Sequence, residues 1–331
     1  MINLGIVGLG NIFDWQYKAL CDFRESITIT SVFDIDTSKA RSKIRDLNSN
    51  AVVFDQYSAL LNDPGTDTLL ISTPPHTHSE LAEAAVNSKK NVIIEKPVCD
   101  NYESFIKLLS LDRQPGTSLY SAFHAAFAED LIWFIENMDN LKEQYSLGRM
   151  TEIVCSFSDP YTGGNNIIPG KGVLGGSYLD SGVNALSVCE KLTDLSKYRM
   201  KSMNADKNAD GTIISSTTIF EADDPELPVF EINTNWDLGI NRKITVIHYE
   251  NGNTVLLDHS KQSVLISTDS GSRTIALDSS CNDMDLLYAN TSRERLHAQY
   301  HRLFEDYLNA RYTGRDNTSS SMEIHRLLFG Q

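Results

Sequence analysis

Two short segments of the sequence carry side chains that could take part in an oxidation or a reduction. Lys96 stands in a Glu-Lys-Pro tripeptide directly after an apolar run, and Asp180 and Asn184 lie four residues apart in a glycine-rich stretch. A spacing of four places two side chains on one face of a helix. An ammonium group stabilises the charge that develops on a hydroxyl oxygen as hydride leaves its carbon, and a carboxylate can accept the hydroxyl proton.

A glycine-rich turn after the first apolar run is typical of dinucleotide binding. Gly8 and Gly10 are followed by Asn11 and Ile12 at the start of a predicted helix. In such a turn the first glycine allows the tight bend and the second lets the backbone approach a pyrophosphate, whose charge lies at the helix N-terminus. Phe13 occupies the position of the usual third glycine or alanine, which weakens the motif.

The second predicted strand ends at Phe33-Asp34, and Asp34 lies 24 residues after Gly10. This is close to the spacing of the acidic residue that binds the ribose hydroxyls of NAD. Ile35 and Asp36 follow, and no arginine stands where one would accept the 2′-phosphate of NADP. The sequence therefore predicts NAD, with NADP as the less favoured cofactor.

The elements around these residues indicate an α/β protein with two domains. Over residues 1–122, short β-branched runs alternate with helical stretches, which predicts an N-terminal Rossmann dinucleotide-binding domain with a parallel sheet. Residues 123–331 predict a substrate-binding and oligomerisation domain of the α+β class with a large, mostly antiparallel open sheet, in which Glu250-Asn251-Gly252-Asn253 is a hairpin turn. The last helix is an element that could pack back on the first domain.

The predicted strands are 3–7, 27–33, 68–71, 91–94, 118–122, 151–157, 212–220, 229–236, 243–248, 254–257 and 263–267. The predicted helices include 37–48, 78–88 and 292–308, followed by a polar tail over 313–321 and a short amphipathic piece ending at Phe329.

The segment 72–78, with Thr73, Pro74 and His78, and the later tripeptide Glu95-Lys96-Pro97 together resemble the Gfo/Idh/MocA family of NAD(P)-dependent sugar and cyclitol oxidoreductases. The resemblance covers essentially the whole chain. It implies that Thr73, Pro74, His78, Glu95 and Lys96 line the cofactor, and that Lys96 lies at the nicotinamide and hydrogen-bonds the reacting hydroxyl.

Family members with a histidine base usually carry Asp-x-Gly-x-His where this chain has Asp180, Gly182 and Asn184. An amide cannot exchange a proton at neutral pH, so that base is absent. The pattern Asp-x-Gly-x-Asn followed by Ala-Leu-Ser is similar to the aldose 1-dehydrogenase branch, which includes D-galactose and L-arabinose 1-dehydrogenases. The hydroxyl on C1 of an aldopyranose is more acidic than an ordinary alcohol, so a weaker base suffices.

On this interpretation the product is a lactone and Asp180 is the leading proton acceptor. Asn184 is an orienting hydrogen-bond donor and Lys96 is the electrostatic partner, although Lys96 could itself be the base if its pKa is depressed. His124 and Trp236 are weaker candidates for substrate binding, by a hydrogen bond and by stacking on the sugar ring. Each is as well explained by burial in the core. Glu152 and Asp159 are left out of the predicted site.

Composition limits the partners. The chain has 29 basic and 44 acidic residues, a net charge of −15, which disfavours nucleic acid. No apolar run of membrane-spanning length and no signal peptide is recognisable, so we expect a cytoplasmic protein without a membrane partner. The cysteines, Cys21, Cys99, Cys155, Cys189 and Cys281, suggest reduced thiols. The resemblance implies a homodimer or homotetramer that binds a small sugar or polyol.

No metal is predicted. His297 and His301 have the spacing of a helical zinc site, but no further ligand is recognisable, and a solvated helix face is the better interpretation. Two alternatives to the aldose 1-dehydrogenase remain. One is a cyclitol or nucleotide-sugar dehydrogenase of the same family, although near the site only Lys171 and Arg242 could hold a nucleotide's phosphates. The other is a catalytically inactive NAD-binding regulator, against which the retention of Lys96 and Asp180 argues.

Overall fold

The computed structural model describes residues 1–111, 117–163, 166–277 and 292–331, the last range without the side chains of 292–294. The chain divides into two compact units. The first comprises Met1–Phe123 and Tyr300–Met322, and the second comprises His124–Gln299 and Glu323–Gln331. Each unit has its own sheet.

The first unit is built on a parallel sheet in the order β3-β2-β1-β4-β5-β6. Its strands are β1 (Ile2–Val7), β2 (Ile27–Phe33), β3 (Val52–Phe54), β4 (Thr68–Ile71), β5 (Asn91–Glu95) and β6 (Leu119–Ala122). The intervening helices are α1 (Phe13–Leu20), α2 (Thr37–Asp46), α3 (Tyr57–Leu61), α4 (Pro75–Asn87) and α5 (Tyr102–Leu109). From β1 the chain adds β2 and β3 on one side and β4 to β6 on the other, so the order of strands switches between β1 and β4. Doubly wound sheets bind ligands at such a switch, at the carboxyl ends of their strands.

Burial explains why these segments form strands. The central strands β4 and β5 are buried along their whole length, as expected when helices cover both faces of a parallel sheet. Side chains such as Val7, Ile71, Val92 and Ile94 belong to one apolar cluster. The predicted Rossmann domain is confirmed, and β3, which was not predicted, has only three residues.

The second unit is built on a larger sheet in the order β10-β11-β12-β7-β13-β14-β15-β16. Its strands are β7 (Met150–Ser158), β10 (Tyr198–Lys207), β11 (Ile213–Ala222), β12 (Val229–Asn235), β13 (Arg242–Tyr249), β14 (Thr254–Asp258), β15 (Ser263–Thr268) and β16 (Gly271–Ala276), and a separate hairpin contains β8 (Thr162–Gly163) and β9 (Asn166–Ile167). Every neighbouring pair in the large sheet is antiparallel except β7 and β12. The predicted mostly antiparallel sheet is confirmed.

Helices α6 (Glu129–Tyr145) and α7 (Val183–Leu192) pack on one face of this sheet. The covered face takes alternate residues of each strand, so that in β13 Thr245, Ile247 and Tyr249 are buried. Lys243 shares their register, and this places a charged side chain on the covered face.

Several local predictions were wrong. Strands β10 and β16 were not predicted, because the solvent-exposed residues that dominate both lack an apolar alternation. At the C-terminus, α8 (Ser292–Thr313) is longer than predicted, and α9 (Thr318–Leu328) begins within the expected polar tail. Its buried face, which includes Ile324 and Leu327, explains why this serine-rich segment is helical. Cys281 lies outside the described residues.

Candidate functional site

The glycine-rich turn of the first unit has the form of a dinucleotide cradle. Gly8 has a φ of +92°, and a Cβ there would stand 2.9 Å from the carbonyl oxygen of Ser72. A Cβ on Gly10 would meet no atom within 4 Å. The first glycine is therefore required by the fold, whereas the open space at the second fits the approach of a pyrophosphate to the backbone. Asn11 and Ile12 lead from this turn into α1.

Phe13, in place of the third glycine, is fully buried and begins α1. An aromatic side chain is thus accommodated in the core at this position.

Asp34 follows β2 and is bound to two backbone groups of the first unit. Its Oδ2 accepts a hydrogen bond from the Leu9 N–H at 2.7 Å, and its Oδ1 accepts one from the Asp36 N–H at 2.9 Å. The carboxylate is therefore held directly beside the glycine-rich turn. Ile35, the next residue, is 97% exposed, and this position offers no positive charge to a 2′-phosphate.

The turn after β5 carries Lys96, and a buried histidine supports it. His78, in α4, lies with Nδ1 2.8 Å from the Pro97 carbonyl oxygen and Nε2 2.7 Å from the Thr73 carbonyl oxygen. Burial lowers the pKa of His78, and the two carbonyl groups oppose that effect. His78 therefore links the Thr73-Pro74 turn to the Lys96-Pro97 turn, while Pro74 caps the N-terminus of α4.

Glu95, the last residue of β5, is the buried charge of this region. Its Oε1 accepts hydrogen bonds from Gln16 Nε2 at 2.7 Å and from the Tyr300 hydroxyl at 2.6 Å. Its Oε2 accepts one from the backbone N–H of Lys96 at 3.2 Å. Burial raises the pKa of Glu95, although Tyr300, Lys96 and Gln16 all favour the ionised form.

In the second unit, Asp180 lies in a π-helical turn, Tyr178–Gly182, that runs directly into α7. Turns of this kind are frequent at functional sites. Asp180 and Asn184 are 8% and 5% exposed. The Asn184 amide nitrogen donates to the Asp180 carbonyl oxygen at 3.3 Å, and Asn184 Oδ1 is buried without a hydrogen-bond partner in the described structure.

The role of Asn184 as an orienting donor stays a prediction, because only one of its two amide N–H groups is used within its own helix. The atom without a partner in the described structure is Oδ1, an acceptor. A buried acceptor without a partner costs free energy, and a substrate hydroxyl or a water molecule could satisfy it.

Beside this turn lies a buried ion pair that was not predicted. Lys243 Nζ donates to Asp159 Oδ1 at 2.7 Å, and Asp159 Oδ2 accepts from the Ser181 hydroxyl at 3.0 Å. Burial alone would raise the pKa of Asp159, but the charge of Lys243 and these hydrogen bonds outweigh it and leave that pKa lowered. Asp159 thus holds the residue that follows Asp180.

A cavity of about 10 Å³ lies among these residues, with room for roughly one water molecule. The surface that faces it is almost entirely apolar, although most of the lining residues are polar or basic: His124, Asn184, Lys243, His259, Arg295 and Gln299, with Ala125 and Phe157. Arg295 is 5% exposed and its Nε has no hydrogen-bond partner in the described structure. Two of the lining residues, Arg295 and Asn184, therefore carry an unsatisfied polar atom, Nε and Oδ1.

The two weaker candidates for substrate binding are both buried. His124 lies with Nδ1 2.9 Å from Gln299 Oε1. Trp236 is fully buried and packs edge-on against Tyr161, with ring centroids 5.4 Å apart. Because its indole has no exposed face, the structure gives no support to stacking on a sugar, and Trp236 is left out of the proposed contacts.

Among the described residues, no group of three or more His, Cys, Asp or Glu side chains could hold a metal ion. His301, one of the two histidines with zinc-like spacing, packs on Phe23 with ring centroids 4.7 Å apart. No helix of the described residues combines the length and the apolar character that a membrane span requires.

Sequence reasoning missed Lys243 and Tyr300 and excluded Asp159. A signal for Lys243 was present, since it occupies the register of the buried residues of β13. Nothing in the sequence pairs Tyr300 with Glu95, because the two are 205 positions apart.

Comparison with known proteins gives a consistent result. Residues 2–123 match the model of an oxidoreductase family, Gfo/Idh/MocA, described by its NAD-binding Rossmann fold. The chain is 21% identical over 263 residues to myo-inositol 2-dehydrogenase from Thermotoga maritima, covering 80% of this chain and 70% of the relative. It is 22% identical over 263 residues to an uncharacterized oxidoreductase of Bacillus subtilis, covering 80% of this chain and 68% of that protein.

Among solved structures, a 3-ketoreductase from Actinomadura kijaniata in complex with TDP-benzene and NADP superposes with a TM-score of 0.78. The identity is 15%, over 99% of this chain and 95% of that one. An oxidoreductase from Thermotoga maritima has the same TM-score at 19% identity, with the same coverage. Residues 2–123 are therefore similar to the NAD-binding Rossmann domain of the Gfo/Idh/MocA oxidoreductases.

Proposed function

We propose that the protein is an NAD-dependent dehydrogenase that oxidises C1 of an aldopyranose to a lactone. The observation that carries this proposal is Asn184. It occupies the place of the usual histidine base and offers a buried, unsatisfied acceptor one helical turn from Asp180. A site with an amide in place of an imidazole suits a substrate hydroxyl that is already acidic, as the hydroxyl of a hemiacetal is.

When bound, the oxidised nicotinamide supplies the acceptor for the hydride. Residues of this chain accept the proton, stabilise the developing charge and orient the substrate. Asp180 accepts the proton of the C1 hydroxyl, while Lys96 stabilises the negative charge that develops on that oxygen as the C1–O bond becomes a carbonyl. Asn184 accepts a hydrogen bond from the sugar and so orients it. His124, at the cavity beside Asn184, is a further proposed contact to a sugar hydroxyl.

The proposed preference for NAD depends on Asp34. Its carboxylate is fixed beside the glycine-rich turn by the Leu9 N–H, where it can accept hydrogen bonds from ribose hydroxyls and would repel a 2′-phosphate. The backbone of residues 8–12 is proposed to contact the pyrophosphate. The turn at Thr73 and Pro74, supported by His78, and the turn of Glu95 and Lys96 are proposed to line the rest of the cofactor.

A second candidate is the oxidation of a cyclitol, which the similarity to a myo-inositol 2-dehydrogenase favours. A nucleotide sugar is less well supported. Of the two candidate phosphate ligands, Arg242 is paired with Asp258 at 3.3 Å, and Lys171 lies over the Tyr161 ring at 4.0 Å.

The test is to follow reduced-cofactor absorbance with NAD and NADP separately, against a panel of aldoses, cyclitols and nucleotide sugars. We expect turnover of an aldose with NAD, and a fall of roughly 10²-fold or more in kcat for Lys96→Ala and for Asp180→Ala. Turnover of cyclitols alone would refute C1 oxidation in favour of the second candidate.

The matched control for Asn184 is Asn137, another helical asparagine of the second unit whose amide donates to the carbonyl four residues earlier, at 2.8 Å. Asn184→Ala should lower kcat/KM, whereas Asn137→Ala should leave it unchanged. Equal effects of the two substitutions would remove Asn184 from the site.

We further propose that the protein assembles as a homodimer or a larger homo-oligomer, as the family resemblance implies. Light scattering after size-exclusion chromatography gives the mass directly, and a monomer at micromolar concentration would contradict this.

A further inference from the structure

The ends of β4 and β5 at the proposed cofactor site are joined to α1 and α8 by one buried chain of hydrogen bonds. Ser72, after β4, donates its hydroxyl to Gln16 Oε1 at 3.0 Å, and Gln16, in α1, donates to Glu95 at 2.7 Å. Tyr300, in α8, donates to the same oxygen at 2.6 Å. Gln16 and Tyr300 are fully buried, Glu95 is 5% exposed, and all four residues belong to the first unit.

Three donors point at the Glu95 carboxyl group. Gln16 and Tyr300 donate to one oxygen and the Lys96 backbone N–H donates to the other. An ionised carboxylate only accepts, so this set of partners matches the charged form. Burial of that charge is costly unless it is hydrogen-bonded and balanced, and the next residue in the chain, Lys96, carries the opposite charge.

From this geometry we infer that Glu95 is a positioning residue for Lys96, and that Tyr300 and Gln16 hold its carboxylate so that Lys96 stays protonated and in place. The inference rests on the proposed function, since it explains how Lys96 keeps the positive charge that its role requires. The titratable groups that act on Glu95 are Tyr300 from α8 and Lys96 from the turn after β5, and Gln16 contributes a neutral donor from α1.

The proposal makes Tyr300 a residue with a measurable effect on catalysis, although it is assigned no contact with the reacting atoms. Replacing Tyr300 with phenylalanine removes one donor from the carboxylate and keeps the ring. We expect kcat to fall about tenfold with little change in the KM for NAD, since a hydrogen bond to a charged group is lost. Glu95→Gln removes the charge itself, and we expect a fall of about 100-fold.

The matched control is Tyr307→Phe. Tyr307 is a buried tyrosine of the same helix, and its hydroxyl has no well-oriented hydrogen-bond partner in the described structure. Tyr307→Phe should keep the kcat and the pH profile of the wild type. If it lowers kcat as much as Tyr300→Phe does, the effect is one of helix packing and the proposal is overturned.

A pH profile separates positioning from general loss of structure. Losing the Tyr300 donor disfavours the ionised carboxylate, so the acid limb of the kcat profile should move to higher pH in Tyr300→Phe. In Glu95→Gln the contribution of this group to the acid limb should disappear. Unchanged profiles in both variants would refute the inference.

A second measurement needs no substrate, so it separates this inference from the proposed function. Competitive acetylation of Lys96, read by peptide mass spectrometry from about pH 6 to about pH 11, reports the pKa of its amine. We expect that pKa to fall in Glu95→Gln and to fall less in Tyr300→Phe. Identical titration of Lys96 in wild type and both variants overturns the inference even if the enzyme oxidises aldoses. A lowered pKa in a protein that turns over no sugar upholds the inference and refutes the proposed function.

Discussion

The two units handle buried charge in opposite ways. In the first unit, Glu95 is surrounded by donors, and each donor is used. In the second unit, Lys243 and Asp159 form an ion pair beside a water-sized cavity, where Asn184 Oδ1 and Arg295 Nε have no partner in the described structure. A fully satisfied network rigidifies a structure, whereas unsatisfied buried groups call for a ligand or a water molecule. Glu95 is thus held by its own partners, whereas Asn184 and Arg295 each keep a polar atom that is free to bind a small ligand or a water molecule.

The largest expected effect comes from breaking the buried pair of the second unit. Asp159→Ala removes the only negative charge bound to Lys243 Nζ among the described residues and leaves it two neutral acceptors, Ser158 O and Asn241 Oδ1. The free energy of unfolding should therefore fall by about 3–5 kcal/mol. The double variant Asp159→Leu/Lys243→Met should recover most of that loss, because it removes both charges. Urea denaturation measures each value.

The control for this prediction is an exposed pair of the first unit. Arg41 and Asp55 lie 2.7 Å apart with side chains 57% and 68% exposed. Asp55→Ala should change the free energy of unfolding by less than about 0.5 kcal/mol, since solvent screens the pair. If Asp159→Ala lowers the free energy of unfolding by as little as this, the pair of Asp159 and Lys243 does not stabilise the second unit as predicted.

A smaller effect separates the two glycines of the cofactor cradle. Gly8→Ala forces a side chain into the left-handed region and against the Ser72 carbonyl, so it should lower the free energy of unfolding by about 1–3 kcal/mol. Gly10→Ala adds a Cβ in open space, so the fold should keep its stability. Calorimetric titration should nevertheless show NAD binding weakened at least roughly tenfold, or about 1.4 kcal/mol. Unchanged affinity in Gly10→Ala would contradict the proposed position of the pyrophosphate.

The smallest expected effect is on the pH dependence of the free energy of unfolding, to which Asp159 and Glu95 contribute with opposite signs. The pKa of Asp159 is lowered from 3.8, so its stabilising contribution is present above that value and is lost as the pH falls through the folded pKa. The pKa of Glu95 is raised from 4.5, so its contribution is present below that value and is lost as the pH rises through the folded pKa. Each slope is at most about 1.4 kcal/mol per pH unit.

Denaturation of wild type, Asp159→Asn and Glu95→Gln across the acid range checks this. Relative to wild type, Asp159→Asn should lose less stability on acidification. Glu95→Gln should lose less as the pH rises toward neutrality. Slopes of the same sign would show that the two carboxylates do not differ as the structure implies.

The sequence alone predicted the parallel sheet of the first unit, because β-branched runs and glycine punctuation are local signals. It also located Gly8, Gly10, Asp34, Lys96, Asp180 and Asn184, since each stands in a short motif. Helix α9 escaped prediction because its helical state depends on burial of Ile324 and Leu327, which propensity does not record.

What the sequence determined by itself is the set of groups that meet within a few residues: a glycine turn, an acid after a strand, a lysine before a proline and an acid one helical turn from an amide. Only the tertiary structure decided that Asn184 presents an acceptor, that Lys243 faces Asp159, and that Tyr300 donates to Glu95. Lys243 and Asp159 are 84 positions apart in the sequence, and Tyr300 and Glu95 are 205 positions apart. Contacts at such separations follow from how strands and helices pack. The physical reason is that hydrogen bonds and ion pairs act over a few ångströms in space, whatever the distance along the chain.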